Sequence, residues 1–447
     1  MKILLIQPRM NRRPMDTGLK ARMSPSLALL TIKGLTPPCH TVEIINENIE
    51  SINYADSPDL VAITVTVDTL NRAGEIAKRF QNRGIPAVAG GIHITGVPDT
   101  ARGIFDSILI GRAEQTWLPM LDDLSRNLLK PEYRDTYQSK YIQCPDYNVK
   151  KHNKYIYTNV VTTSRGCPHR CDFCYNSSAN AVPYINRPIK DVLKDISAIN
   201  RKHILFIDDN FCGNPKWTMD FLSALIPLKI KWSAAVCANI IKHPAILDKM
   251  AESGCQSLFI GFESINPISL RQVQKTQNNV GLYEKLISAL HKRGIIINAS
   301  LVFGLPDDDV HTFARTLKWL IKHKIETATA HIMTPYPGTT LYECLLEQNR
   351  IVDHNLSNYD TAHVVFLPDK MTGQQLYDGY IDFYKKFYSF KSIWQRLPDN
   401  RRQRIPYLCF NLLYRKFGRL TEILSRLIPL NLLSRFAAQV SYKQDNR

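Results

Sequence analysis

The sequence lacks the features of a membrane-spanning or secreted protein. None of its apolar runs reaches the ~18 residues that a transmembrane helix needs. The first residues, MKILLIQP, lead into a strand pattern with no small-residue cleavage site. With 447 residues, 44% hydrophobic and 22% charged, the composition is ordinary for a globular protein and argues against a disordered or fibrous one. We therefore expect a cytoplasmic protein of two or three domains.

Two further patterns are missing, a disulfide framework and a phosphate-binding loop. Seven of the ten cysteines are scattered singly along the chain, which indicates a reducing compartment and small core residues. No G-x-G-x-x-G follows the first strand pattern, and no G-x-x-x-x-G-K-[ST] occurs. The sequence therefore argues against a dinucleotide or nucleoside triphosphate site of the usual kind.

What is present is a long alternation of short apolar strands with helical segments. In the first ~125 residues, five strand-like runs surround the helical pattern of residues 70–84, which predicts a doubly wound parallel α/β sheet. After a polar connector, six further strand and helix repeats predict a partial (βα)6 barrel of the TIM type. We predict a Rossmann-like domain at 1–130, a linker at 131–154, the barrel at 155–350 and a helical region at 351–447.

The positive charge is concentrated at the C-terminal end of the chain. The formal net charge is +17, and residues 385–447 hold 14 Lys or Arg against 3 Asp or Glu. Over residues 411–440 the basic residues share a helical pattern with Leu and Ile, which is typical of a helix that lies on a membrane surface. A helical cap on the barrel with a solvated basic face explains the pattern equally well.

The motif that most clearly indicates a reactive site is SRGCPHRCDFCY, which places three cysteines directly after the first strand of the predicted barrel. A tetrahedral zinc site built on Cys167, Cys171 and Cys174 would need a fourth ligand, such as His169, or an open position. In a four-iron cluster each iron takes one thiolate, so three cysteines leave one iron free to bind substrate or cofactor.

The run Cys167-x3-Cys171-x2-Cys174, with Phe173 before the last cysteine, resembles the cluster motif of the radical S-adenosylmethionine (SAM) enzymes. The resemblance implies a [4Fe-4S] cluster on these cysteines, SAM on the fourth iron and a 5′-deoxyadenosyl radical as the reactive species. It also implies an electron donor such as flavodoxin or ferredoxin.

Three strand-end segments, FIDDN, IGFES and SLVFGLP, resemble the segments that surround SAM in the same superfamily. By this resemblance Phe173 belongs to the cofactor surroundings, and Gly304 approaches the adenine. Carboxylates at strand ends suit hydroxyl and ammonium donors. The implied ligands of the ribose or the amino group are Asp208, Asp209, Asn210 and Glu263.

The front domain resembles the cobalamin-binding domain that precedes the barrel in one class of radical SAM enzymes. The matching segments are TVTVDTL, AGGIHITGVPD and LIGRAEQTW. Small residues at a glycine pair would let the backbone approach a flat corrin. The implied cofactor contacts are Thr64, Thr66, Gly90, Gly91, His93, Gly111 and Glu114.

The front domain also departs from the histidine-ligating cobalamin proteins. Those proteins carry D-x-H-x-x-G after the first strand, where this chain reads QPRMNRRPMD at residues 7–16. Either the cobalt has no histidine ligand from this loop, or the domain has lost cobalamin. His93 is the nearest alternative polar contact.

The resemblance runs to about residue 397 and is strongest to the subgroup that contains the hopanoid methylases. It implies a cobalamin-dependent methyltransferase that acts on an unactivated carbon of a lipid or secondary metabolite and consumes two SAM molecules per turnover. Cyclisation, rearrangement, coupling or epimerisation without methyl transfer is the alternative. Nucleic acid is not an expected partner, because tRNA methylthiotransferases use three further cysteines where this chain has Cys39 and Cys144. Peripheral attachment to the inner face of the membrane through the basic tail would favour a lipid substrate.

Overall fold

Two parallel sheets of six strands each organise the chain in the computed structural model, which describes residues 1–13, 20–139, 141–148 and 154–415. The first sheet belongs to the front domain and the second to the barrel. The predicted fold class, a Rossmann-like domain followed by a partial barrel and a helical region, is confirmed.

The front sheet has the strand order β2-β1-β3-β4-β5-β6, and every neighbouring pair is parallel. Its strands are β1 (Lys2–Gln7), β2 (Thr41–Asn46), β3 (Leu60–Thr64), β4 (Ala87–Gly90), β5 (Ser107–Ile110) and β6 (Glu132–Arg134). The helices are α1 (Leu27–Leu35), α2 (Leu70–Gln81), α3 (Ile92–Gly96) and α4 (Ala113–Ser125). In such a doubly wound sheet the ligand crevice lies at the carboxyl ends of the strands.

Both faces of the front sheet are covered by apolar helix faces. Helix α2 packs Ile76 and Phe80 on one face, while α1 and α4 pack Leu29, Trp117 and Met120 on the other. Two separate clusters of buried side chains therefore cover the sheet, which explains why its strands read as continuous apolar runs rather than alternating ones.

The sixth front strand lies inside the segment expected to be a linker. Strand β6 has only three residues and pairs Tyr133 with Leu109 of β5. Because EYR is short and mostly charged, its sequence carries no strand periodicity. The front sheet thus extends four residues beyond the predicted boundary at residue 130.

The barrel sheet has the order β14-β13-β12-β11-β10-β7 and is also parallel throughout. Its strands are β7 (Val160–Val161), β10 (His203–Phe206), β11 (Lys231–Cys237), β12 (Cys255–Glu263), β13 (Ile296–Phe303) and β14 (Thr327–Ile332). A short antiparallel pair, β8 (Ser164–Arg165) and β9 (Ile185–Asn186), follows β7. The first barrel strand is thus much shorter than the apolar run at 155–164 predicts.

Helices cover the outside of the barrel and continue past its last strand. They are α5 (Ile189–Ile199), α6 (Pro215–Leu225), α7 (Pro244–Glu252), α8 (Pro267–Gln272), α9 (Tyr283–Lys292), α10 (Thr312–Lys322), α11 (Thr340–Glu347), α12 (Gly373–Phe387), α13 (Phe390–Gln395) and α14 (Arg401–Arg415). The hydroxyls of Tyr384 in α12 and of Tyr388, the C-cap residue of this helix, bond to the backbone of Ala330 and Ala328, respectively. These bonds satisfy backbone groups on the edge strand β14, which would otherwise be open to pairing.

Most of the predicted basic amphipathic helix at 411–440 lies outside the described residues, which end at 415. Within the described ranges, no helix has the length and apolar character needed to cross a bilayer.

Candidate cluster and cofactor site

The three motif cysteines lie on one loop that the antiparallel pair β8 and β9 closes at its base. Gly166 begins the loop with φ +67°, and a Cβ atom there would lie 2.4 Å from the carbonyl oxygen of Val182. Only glycine fits this position without a shift of the backbone. Gly166 therefore sets the direction in which the cysteine loop leaves the first barrel strands.

The thiols of the motif lie close enough to influence one another electrostatically. Burial raises the pKa of Cys167 to about 12, and the neighbouring thiols of Cys237 and Cys174 add to the increase. Burial also raises the pKa of Cys174, to which Asp209 and Cys171 contribute. No group of three His, Cys, Asp or Glu side chains within the described ranges has the spacing of a single-ion site. Iron binding would have to displace the thiol protons, as metal ions commonly do.

A buried ion pair supplies positive charge beside these thiols. Lys275 Nζ lies 2.8 Å from Glu263 Oε1 and 5.6 Å from the centre of the Phe173 ring. Burial alone would lower the pKa of Lys275, but the charge of Glu263 together with the thiols of Cys237 and Cys171 raises it. The ammonium group therefore stays charged and favours thiolates nearby.

Glu263 occupies a bulge at the end of β12 rather than a regular strand position. Its φ is +61°, and the register between β12 and β13 shifts at this residue. The second carboxylate oxygen lies 3.4 Å from the hydroxyl of Ser300. The bulge turns the carboxylate towards Lys275 and the cysteine loop.

Asp208 holds the base of the cysteine loop. One carboxylate oxygen accepts from the backbone N–H groups of Thr163 and Ser164 at 2.7 and 2.6 Å and from the Ser164 hydroxyl at 2.9 Å. The other accepts from the Thr163 hydroxyl at 3.1 Å. Burial raises its pKa to about 6, although these hydrogen bonds oppose the increase. All of these partners are protein groups, so the structure places Asp208 as a support of the loop.

Asp209 and Asn210, which follow Asp208 in the segment FIDDN, differ in solvent accessibility. Asp209 is exposed, and its carboxylate accepts from Asn176 at 3.2 Å. Asn210 is buried, and its amide oxygen accepts from the backbone N–H of Cys237 at 3.4 Å. Of the three polar residues, Asp209 is therefore the best placed to reach a bound molecule.

Gly304 packs against the C-terminal part of the chain. Its φ is +87°, and a Cβ atom would lie 2.7 Å from Leu376 and 3.2 Å from Phe366. Its N–H and that of Leu305 donate to one oxygen of Asp308 at 3.0 and 3.1 Å. The glycine is thus required by this packing, whatever lies on the other side of the turn.

A cavity of about 1290 Å³, counting the part open to solvent, lies between the front sheet and the cysteine loop. Several of the residues expected to hold a cofactor line it, namely Thr64, Gly90, Gly91, Gly111, Glu114 and Asp209. The barrel side contributes residues that flank the cysteines, including Arg165, Gly166, Tyr175, Asn176 and Ser178. The cavity therefore joins the two halves of the predicted site.

The glycines of this wall have no room for side chains. Gly91 has φ +118°, and a Cβ atom there would lie 2.6 Å from the carbonyl oxygen of Val65. Gly111 has φ +93°, and its Cβ atom would lie 2.6 Å from Asp135 Cβ. At these two positions the wall is therefore formed by backbone, which would let a flat ligand approach closely.

Two residues of the front domain that were expected to contact the corrin, His93 and Thr66, do not line this cavity. The two ring nitrogens of the buried His93 lie 2.9 Å from the Tyr175 hydroxyl and 3.0 Å from that of Thr100. Burial lowers the pKa of His93 to about 4, so the ring is neutral. Thr66 caps a short turn through its bonds to Asp68 and Thr69. The buried His93 therefore packs inside the front domain, whereas the exposed Thr66 lies outside the cavity lining.

Tyr175 and Glu114 connect the two halves directly. Tyr175 follows the last motif cysteine, reaches His93 in the front domain and stacks on Tyr336 with ring centres 4.8 Å apart. Glu114 is buried and lies 3.9 Å from the guanidinium of Arg165. Sequence reasoning missed Arg165 and Tyr175, although their positions beside the cysteines could have drawn attention to them.

The residues present fit the groups that this fold implies. Three thiols on one loop with a nearby ammonium group suit an iron–sulfur cluster. On the other side of the cavity, the crowded Gly91 and Gly111 and the polar side chains of Thr64 and Glu114 suit a large flat ligand with polar groups at its edge.

Comparisons with known proteins agree with this geometry. Residues 161–320 match the model of the Radical SAM superfamily. The chain is 28% identical to bacteriochlorophyllide d C-12(1)-methyltransferase of Chlorobaculum tepidum, over 94% of this chain and 93% of that protein. It is 24% identical to hopanoid C-2 methylase of Rhodopseudomonas palustris, over 76% of this chain and 68% of that protein.

A solved structure shows the same arrangement of both domains. The radical SAM methyltransferase TsrM from Kitasatospora setae, with cobalamin and a [4Fe-4S] cluster bound, superposes with a TM-score of 0.66 at 15% identity. The alignment covers 98% of this chain and 99% of that one. The chain is therefore an enzyme with a radical SAM domain at residues 161–320, in which the cysteine motif directly follows the first barrel strand.

Proposed function

We propose that this enzyme is a cobalamin-dependent radical SAM methyltransferase that acts on an unactivated carbon of a lipid or secondary metabolite. The observation that carries the proposal is the cavity that runs from the glycines of the front sheet to the residues beside the cysteines. Such a cavity would hold a corrin beside the glycines of the front sheet and the SAM-derived radical beside the cysteine loop. The names of the relatives, which methylate large ring systems, support it as well.

When bound, the cluster with SAM would supply the radical that removes a hydrogen atom from the substrate, and the corrin would carry the methyl group. Cys167, Cys171 and Cys174 would each hold one iron of this cluster. Asp208 fixes the loop that carries them, and Lys275 supplies a compensating positive charge. A one-electron donor such as flavodoxin or ferredoxin would reduce the cluster.

For SAM itself, we propose that Asp209 and Glu263 meet its hydroxyl or ammonium groups. Asp209 is exposed at the cavity, and Glu263 lies beside the cysteine loop with its charge shared by Lys275. Phe173, Asn210 and Gly304 would shape the surroundings through packing and backbone contacts. On the corrin side, Thr64, Gly90, Gly91, Gly111 and Glu114 form the wall, while Thr66 and His93 lie outside the lining.

Anaerobic reconstitution with iron, sulfide and cobalamin, followed by assays of both SAM products, tests the proposal. We expect a cluster, retained corrin absorbance, and formation of both S-adenosylhomocysteine and 5′-deoxyadenosine in the presence of substrate. A protein that binds the cluster but retains no corrin would contradict the methyl-transfer mechanism. Formation of 5′-deoxyadenosine without S-adenosylhomocysteine would instead favour cyclisation or another radical rearrangement.

A lipid substrate would agree with peripheral attachment to an anionic membrane. Helix α13 exposes Phe390 and Trp394, which lie one turn apart, and the following segment to residue 447 is strongly basic. Exposed aromatics with basic charge are typical of membrane-surface helices. We expect the full chain, but not a version ending at residue 415, to float with anionic liposomes. Equal flotation of both would contradict a role for the tail.

A further inference from the structure

We propose that Gln277 raises the reduction potential of the cluster by donating a hydrogen bond from its side-chain amide to the sulfur of Cys171. The proposal rests on the assignment of the cluster to Cys167, Cys171 and Cys174. It gives the enzyme a residue outside the cysteine motif that tunes the cluster, because it contacts a ligand of the cluster without binding iron itself.

The first support is the contact between the amide and the sulfur. Gln277 Nε2 lies 3.4 Å from Cys171 Sγ, although the two residues are 106 positions apart in the chain. Cys171 is 5% exposed, so water has little access to its sulfur. The NH2 group of glutamine is only a donor, which makes the sulfur the acceptor. Iron binding would remove the thiol proton and leave a charged sulfur, which accepts hydrogen bonds more strongly.

The second support is the way in which residues 273–277, which end at this glutamine, lie along the cysteine loop. The carbonyl oxygen of Val273 accepts from the backbone N–H of Asp172 at 3.2 Å. The ammonium group of Lys275 lies 5.6 Å from the centre of the Phe173 ring. The contact between the amide and the sulfur is therefore part of a continuous interface with the loop.

The third support is the anchoring of this segment to the barrel. The side-chain amide of Asn278 donates to the carbonyl oxygens of Gly261 and Phe262 at 2.7 and 3.0 Å, near the end of β12. Lys275 binds Glu263 of the same strand at 2.8 Å. Residues on both sides of the glutamine are thus fixed to β12. A donor on a segment that is already held in place loses less conformational freedom when it bonds to the sulfur.

Hydrogen bonds to the sulfur ligands are among the features that set the potential of an iron–sulfur cluster. Reduction adds one electron, which comes from the one-electron donor and makes the cluster and its sulfurs more negative. A hydrogen bond is stronger when its acceptor carries more negative charge, so it stabilises the reduced cluster more than the oxidised one. The bond from Gln277 should therefore favour reduction, and no proton has to move.

The same part of the chain offers a matched control. Gln272 is the last residue of α8 and is exposed. Methionine is an unbranched side chain of similar length to glutamine, but it has no amide donor. Gln277→Met therefore removes the hydrogen bond with little change in shape. Gln272→Met makes the same chemical change at a position exposed to solvent.

A redox titration of the reconstituted, SAM-free cluster, followed by electron paramagnetic resonance, gives the direct test. We expect Gln277→Met to lower the equilibrium constant for one-electron reduction about tenfold, which lowers the midpoint potential by about 59 mV. Gln272→Met should keep the native potential. Both variants should keep the native iron content, because neither residue is a ligand. A native potential in Gln277→Met with full iron content would overturn the proposal.

Two further measurements separate an effect on the potential from a general loosening of the loop. In D2O, electron–nuclear double resonance of the reduced native cluster should show a deuteron coupling that Gln277→Met lacks and Gln272→Met retains. SAM cleavage by Gln277→Met should be slow with flavodoxin as donor and should recover the native rate with a stronger reductant, titanium(III) citrate. A defect that persists with the stronger reductant would indicate a structural role and overturn the proposal.

A second variant covers the case in which Gln277→Met assembles no cluster. Gln277→Asn keeps a polar amide but withdraws it from the sulfur by one methylene group, so its potential should also fall. An unchanged potential in this variant would overturn the proposal. Failure of the native chain to assemble any cluster would remove the proposed function as well, whereas a native cluster whose potential does not depend on Gln277 removes only the role of this residue.

Discussion

The two walls of the central cavity are built in different ways. The front wall includes Gly91 and Gly111, which are packed so closely that no side chain fits at either position. The barrel half of the site carries the motif thiols and the charged groups near them, namely Asp208 and the Glu263–Lys275 pair, which lie outside the cavity lining. Corrin binding by the front half should therefore depend on the shape of the wall, and cluster binding by the barrel half on thiols and charge. Substitutions in the two halves should affect the two cofactors separately.

The largest effect should come from Cys167→Ala. Loss of one thiolate removes an iron ligand, so we expect loss of the cluster absorbance and of SAM cleavage to below detection. Corrin retention should persist, because the front wall does not contain this residue. The exposed Cys39→Ala is the control and should behave as the native enzyme. Continued SAM cleavage in Cys167→Ala would contradict the cluster assignment.

Gly91→Ala should lower corrin retention and leave the cluster intact, which is the opposite of the result expected for Cys167→Ala. The new Cβ atom would meet Val65 backbone atoms at 2.6 and 2.8 Å and force the wall to move. We expect at least about a tenfold loss in corrin affinity, equivalent to ~1.4 kcal/mol, with the cluster content unchanged. Absorbance after gel filtration measures both.

The matched control for this change is Gly103→Ala. Gly103 also has a positive φ, +78°, but a Cβ atom there has no neighbour within 4 Å. Gly103→Ala therefore introduces the backbone strain of a positive φ without a steric clash. If both variants lose corrin equally, the shape of the wall is not the cause.

Asp208→Asn should weaken the cluster without removing a ligand. The amide cannot accept at both positions, so it would direct an N–H group at a hydroxyl or backbone donor of Thr163 or Ser164. Each lost bond to a charged group costs about 1.5–3 kcal/mol. We expect the variant to lose iron to a chelator at least about tenfold faster than the native enzyme, with the corrin retained.

Asp209→Asn is the control for this prediction, because Asp209 is exposed and accepts one bond from the loop, from Asn176, where Asp208 accepts four at its base. It should keep its iron and change SAM affinity instead. Equal iron loss in the two variants would show that Asp208 has no special role in positioning the loop.

The contrast between Asp208 and Asp209 also shows where sequence reasoning ends. The cysteine spacing predicted the chemistry, and the alternation of strands predicted both sheets, because each depends on local pattern. Which of two adjacent carboxylates faces a ligand depends on the exit angle of β10, which no local pattern records. Similarly, His93 follows a glycine pair at the cavity, yet the start of α3 turns it inward to Tyr175.

The smallest effect concerns pH and a second supporting carboxylate of the barrel, Asp308. Burial raises its pKa to about 7, whereas an unfolded Asp has a pKa near 3.8. Between about pH 4 and pH 7 the folded chain therefore binds more protons than the unfolded chain. The contribution of Asp308 to the free energy of unfolding should fall as the pH rises through this range and stay constant above it.

Between pH 5 and pH 7 the decrease should amount to about 2 kcal/mol, and Asp308→Asn should remove it. Anaerobic urea denaturation of both proteins at pH 5, 6, 7 and 8 measures the difference. Gly91→Ala, which changes the front wall only, should keep the native pH dependence. A difference between native and Asp308→Asn that is constant over this range would contradict the role of Asp308. The pH dependence would then have to come from another group, and the barrel wall would depend less on charge than its contacts indicate.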